Sequence, residues 1–244
     1  MQRRYLMSYN DTGILREGNY IKVITVPVDG KIYPVCPKNL LKWDLTDGSR
    51  NTGQISKMLV GDTLYDPDNS FDVDTTDPVE VFLIIDQVAM SSIAHLSGLF
   101  ANNTTNTEYD FSHLDASHIR SLSNLFTAST CKGLNFNNGR TFYKVESLFG
   151  AFSTGWSPYG NSLMIDTELD LSSCNFSGVM DCSYMFFNQN KLTKITFGYD
   201  MKKVTSTTGM FLNTSTTGDL YVPNKNDFTK IIAALPSGWT VHEI

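Results

Sequence analysis

Basic residues are outnumbered, cysteines are few, and long apolar runs are missing. Lys and Arg total 19 against 25 Asp and Glu, a formal net charge of −6, and no window gathers cations on one face. Binding to a phosphate backbone draws its affinity from clustered cations that release counterions, so no nucleic acid partner is expected. Uninterrupted apolar runs such as Val81–Ile85 stop at five residues, far below the roughly 20 that a membrane-spanning helix needs. No membrane span is expected. Cys36, Cys131, Cys174 and Cys182 form no Cys-x-x-Cys pair and no Cys/His set at zinc spacing, so free buried thiols are the expectation. Also missing are a Gly-rich phosphate loop, a GxSxG elbow and an HExxH helix. His95, His113, His118 and His242 are scattered. These absences point away from an enzyme and from a cofactor. What is present is an ordinary globular composition, 41% hydrophobic, 18% charged and 12% aromatic over 244 residues, enough apolar content to rule out disorder.

The second half repeats. A Leu/Met-Phe pair occurs at Leu99-Phe100, Leu125-Phe126, Leu148-Phe149, Met185-Phe186 and Met210-Phe211, with Phe-to-Phe spacings of 26, 23, 37 and 25. Apolar residues stand seven before each Phe (Ile93, Ile119, Phe142, Val179, Val204), and Leu96, Leu122, Val145, Cys182 and Thr207 stand four before. Offsets of this kind predict a short helical turn with one buried face. Upstream, Phe82–Ile85, Tyr109–Phe111, Leu134–Phe136, Leu169–Leu171 and Ile195–Phe197 alternate as short strands do. One strand and one turn cannot bury their own apolar faces, so such units stack. Phe100, Phe126, Phe149, Phe186 and Phe211 are the expected repeat core.

Leu169-Asp170-Leu171-Ser172, Val179, Ser183-Tyr184-Met185-Phe186 and Leu192-Thr193-Lys194-Ile195 resemble a unit of the BspA-like leucine-rich repeats of bacterial surface proteins. The unit ending at Phe211 is similar through Val204, Thr208, Gly209 and Met210. Leu220–Pro223, Phe228–Leu235 and Gly238–Val241 look like the closing segment of such arrays. The resemblance spans roughly residues 82–244. It implies a leucine-rich-repeat-type solenoid of about five strand-plus-helical-turn units, α/β but β-dominated, with a role in adhesion or surface recognition and no catalytic residues.

The 37-residue spacing leaves extra residues between Phe149 and Leu169, among them Phe152, Trp156 and Tyr159. Insertions in solenoids map to loops on one face, often the binding face, so these aromatics are candidate binding residues. The competing reading folds them back over the solenoid edge.

The first 80 residues lack the repeat. Tyr20–Val26 alternates, Asp29-Gly30 supplies a turn, and Ile32–Val35 follows, which reads as a β-hairpin. Gln54–Val60 is a further strand candidate. A β-rich attachment module over 1–65, an acidic Pro-punctuated linker over 66–80 and the solenoid with its C-terminal cap over 81–244 are the expected organisation. The linker places oxygens at alternate positions through Asp66, Asp68, Ser70, Asp72, Asp74 and Asp77. Calcium takes such ligands, although Phe71 replaces the Gly that a calcium loop needs; a solvated acidic loop is the stronger expectation for Asp66, Asp68, Asp72, Asp74 and Asp77.

The opening Met1–Tyr5 is basic, but Leu6–Asp11 supplies no apolar signal-peptide core. Together with the surface-protein resemblance, this leads to the expectation of a bacteriophage tail or fibre-associated virion component, released by lysis. Its expected partners are other virion proteins and a protein or glycan receptor, and it could form a homo-oligomer. A bacterial cell-surface adhesin is the first alternative. A glycan-degrading enzyme using carboxylates such as Asp166 and Glu168 is the second.

Overall fold

A computed structural model of the chain describes residues 15, 20–33, 55–66, 69–85, 95–101, 103–131, 133–136, 142–154 and 167–244. The N-terminal strands are β1 (Tyr20–Thr25), β2 (Lys31–Ile32), β3 (Ile55–Val60), β4 (Thr63–Tyr65), β5 (Phe71–Asp72) and β6 (Val79–Ile85). The repeat region supplies β7 (Asn106–Asp110), β8 (Gly133–Asn135), β9 (Glu168–Leu171), β10 (Lys194–Phe197), β11 (Thr217–Val222), helix α1 (Thr229–Ala234) and β12 (Gly238–Glu243).

Alternation along β1 buries Ile21 and Val23 and leaves Lys22 and Ile24 on the other face. That strand pairs antiparallel with both β6 and β7, within a sheet ordered β4-β3-β6-β1-β7-β8. The N-terminal strands and the first repeat coil therefore share one sheet. One core runs from Ile21 and Val23 to Trp239. A smaller cluster of Leu15, Leu59, Phe82 and Ile84, with Tyr20, lies apart from it. The Asp29-Gly30 turn forms as expected, both residues at positive φ and Val28 bridging Lys31. However, β2 pairs with β5 rather than with β1, so the expected hairpin shrinks to its turn. The acidic 66–80 stretch contains β5 and the first two residues of β6.

The repeats form a helix-poor β-solenoid of about five coils. One side is the strand row, in which β9 to β12 build a parallel sheet ordered β12-β11-β10-β9. The other is a column of parallel bridges through His95, Ser121, Ser147, Asp181 and Ser206. After each bridge the backbone does not form the expected helical turn. The N–H groups of Leu122, Asn124, Phe126 and Ala128 donate to Ser147, Phe149, Ala151 and Ser153 in the next coil, while those of Leu125, Thr127 and Ser129 return to carbonyls three residues back. This ribbon of tandem β-turns satisfies alternate N–H groups locally and across coils. It also places residues three apart on the inner side, which is why the apolar spacing imitated a helix.

Bridge spacings are 26, 26, 34 and 25, which corrects the register in the third unit. There Phe152, not Phe149, occupies the position of Phe100, Phe126, Phe186 and Phe211. The rings of Phe100, Phe126, Phe152, Phe186 and Phe211 form a ladder at 5.8, 5.7, 6.0 and 5.5 Å, and Trp239 closes it at 5.7 Å. Ala151 fills the place taken elsewhere by Leu or Met before the Phe, so the Leu148-Phe149 pair misled the alignment. Phe149 is half-exposed and meets Tyr184 edge-on. At the far end, Asn224 caps a 3-10 turn (Lys225–Phe228) that leads into α1, and Phe228 and Ile231 bury themselves against the core.

Candidate functional site: the outward face of the parallel sheet

Strand alternation sends Leu169, Leu171, Ile195, Phe197, Leu220 and Val222 inward. Their neighbours in sequence form two outward rows fixed by register. One row is Glu168, Lys194, Asp219 and Thr240; the other is Asp170, Thr196, Tyr221 and His242. Because the backbone ladder sets coil-to-coil spacing, these side chains are held without help from a loop.

Within the rows the groups contact one another. Lys194 Nζ donates to Glu168 Oε2 at 2.9 Å and lies 5.7 Å from the centre of the Tyr221 ring. Tyr221 stacks on His242 at 4.6 Å with an interplanar angle of 18°. His242 Nε2 and Asp219 Oδ1 are 2.7 Å apart. The hydrogen bond from Lys194 to Glu168, reinforced by that carboxylate's charge, holds the lysine above the usual ammonium range. The result is a polar, mainly acidic face with a two-ring aromatic ridge. It suits hydrogen bonding and contact with amphipathic groups, and it repels phosphate.

The opposite, turn-rich side carries a hydroxyl column. Ser97, Ser121, Ser123 and Ser147 link Oγ to Oγ at 3.1, 2.8 and 3.0 Å, and Ser183 and Ser206 meet at 2.7 Å. These bonds tie coils together.

Phe152, expected in a binding loop, is a core rung; its aromatic character serves packing. Trp156 and Tyr159 lie outside the described residues, as does Asp68. Of the other carboxylates in the acidic stretch, Asp72 faces Lys31 at 3.8 Å, and among the described residues Asp66, Asp74 and Asp77 join no metal-holding group. Among the described residues no three His, Cys, Asp or Glu side chains converge to hold a metal ion. Cys131, Cys174 and Cys182 are free and buried, and Cys36 lies outside the described residues. No helix among the described residues is long and apolar enough to cross a membrane. Sequence reasoning missed Lys194, Asp219, Tyr221 and His242, although their alternation with buried residues in β10 to β12 carried the signal.

Residues 69–222 match the family described as Mycoplasma protein of unknown function, DUF285. The chain belongs to that family. The match runs from just before β5 through the end of β11, so it covers most of the solenoid together with β6 of the first sheet. No curated protein and no solved structure matches the chain.

Proposed function

We propose that this DUF285 protein is a non-enzymatic recognition protein, whose solenoid offers the outward face of β9 to β12 to a protein or glycan partner. The observation that carries the reading is the pair of register-locked rows ending in the Tyr221–His242 ridge. Side chains fixed by a backbone ladder lose little conformational freedom when a partner docks. The likeness of the later units to BspA-like leucine-rich repeats supports the same role and a leucine-rich-repeat ancestry for the solenoid. The protein acts on the outside of an assembly, a bacteriophage tail or fibre in the first reading. The family's description names a bacterial genus, which favours a bacterial cell surface as the second.

Quantitative mass spectrometry of purified phage particles and of protease-shaved cells from the source tests both. Peptides at fixed stoichiometry in particles support the virion reading, and peptides released only by shaving support the adhesin reading. Peptides confined to the cytosol would contradict both.

A further inference from the structure

A second polar surface lies away from that face, where β1 meets the first two coils. Lys22, Ile24, Glu108, Asp110, Gly133 and Asn135 line an open groove of about 320 Å3, at the small end of ligand clefts, which run from about 300 Å3. Three strands build it, and the register pairs Lys22 with Asp110 and Asp110 with Asn135.

Its polar groups are held in place. Asp110 Oδ1 accepts from Asn135 Nδ2 at 3.1 Å and from the Ser112 N–H at 2.9 Å. Asp110 Oδ2 lies 4.0 Å from Lys22 Nζ, which Glu80 flanks on its other side at 3.8 Å. Gly133 lets the Glu108 side chain lie across the floor, since a Cβ there would stand 3.1 Å from Glu108 Cγ. Glu108 has no hydrogen-bond donor among the described residues, so its carboxylate is available to a ligand.

We infer that this groove binds a neutral polyhydroxyl ligand, a single sugar residue of a glycan. The Lys22 ammonium counters a divalent cation beside Asp110, and the carboxylates of Glu108 and Asp110 counter an anion. A sugar hydroxyl both donates and accepts, so vicinal hydroxyls serve the two carboxylates and the ammonium together. Ile24, which the register sets beside Glu108, offers apolar surface to the C–H face of the ring. The groove is separate from the β9–β12 face, so its ligand can be sought whether or not that face binds a partner.

Saturation-transfer difference NMR on the full chain, with free glucose, galactose, mannose and N-acetylglucosamine as probes, tests this inference. At least one sugar should receive saturation at its ring protons. Glu108→Gln, an isosteric change on an exposed side chain, should weaken that sugar by about tenfold, as expected for losing a charged hydrogen-bond acceptor. Gly133→Val should abolish the signal, with circular dichroism reporting that the fold is retained. Transfer to none of the four sugars, transfer undiminished in Glu108→Gln, or transfer to free glycine but to no sugar would each overturn it.

Discussion

Phe186 lies fully buried between the rings of Phe152 and Phe211. Deleting such a ring removes its transfer energy and leaves a cavity, so Phe186→Ala should cost roughly 3–5 kcal/mol in urea unfolding. Phe186 was legible as core because its unit follows the repeat spacing. Phe152 was not, because Ala151 hides the Leu/Met-Phe pair and Leu148-Phe149 offers a false one three residues earlier. At the buried thiols, desolvation pushes Cys131 up to about 12, helped by the Glu108 charge. Burial likewise raises Cys174 and Cys182. An unfolded thiol titrates near 8.5, so the folded chain holds its thiol protons to higher pH than the unfolded chain does. The thiols' contribution to stability is therefore complete below that value and falls as pH rises toward the folded values. Iodoacetamide at mildly alkaline pH should leave Cys131, Cys174 and Cys182 unmodified in the native chain and alkylate all three in denaturant, as read by peptide mass spectrometry.

At the scale of elements, the turn ribbon depends on residues with positive φ that stack from coil to coil: Gly98, Asn124, Gly150, Tyr184 and Gly209. Glycines alternate with side chains for a steric reason. A Cβ on Gly150 would lie 2.4 Å from Asn124 Oδ1, and one on Gly209 would lie 2.5 Å from the Tyr184 ring. Gly209→Ala meets both the left-handed backbone and that ring, and should lose about 1–3 kcal/mol. If the ring contact is part of the cost, a thermodynamic cycle with Tyr184→Ala will show the double mutant less destabilised than the sum of the two singles. Additive effects would place the whole penalty in the backbone. The strands were legible because alternation reports a half-buried strand directly: Leu169–Leu171 and Ile195–Phe197 fall within β9 and β10. The ribbon was not legible, because a three-residue turn repeat and a helix produce similar apolar offsets over so short a segment. Partners were harder to read than elements, as β2 shows by joining β5 across about 40 residues.

At the scale of the whole molecule, β1 ties the N-terminal region to the first coil. Ile21, fully buried in β1, belongs to the same core cluster as Phe186. Ile21→Ala should cost roughly 2–5 kcal/mol, and calorimetry should show it lowering the same transition that Phe186→Ala lowers. Two separate shifts in a two-step melt would instead mean independent cores. The groove beside Lys22 was invisible in the sequence for the same reason, since it joins residues more than 80 positions apart whose pairing no local pattern announces. The proposed recognition face depends on the register, because a one-residue slip in a strand exchanges its inward and outward side chains. The most direct test of that register compares Phe152→Ala with Phe149→Ala in urea unfolding. The ring ladder predicts a loss of roughly 3–5 kcal/mol for Phe152→Ala and less than about 1 kcal/mol for the half-exposed Phe149. The reverse order would contradict the coil register that the ring ladder defines.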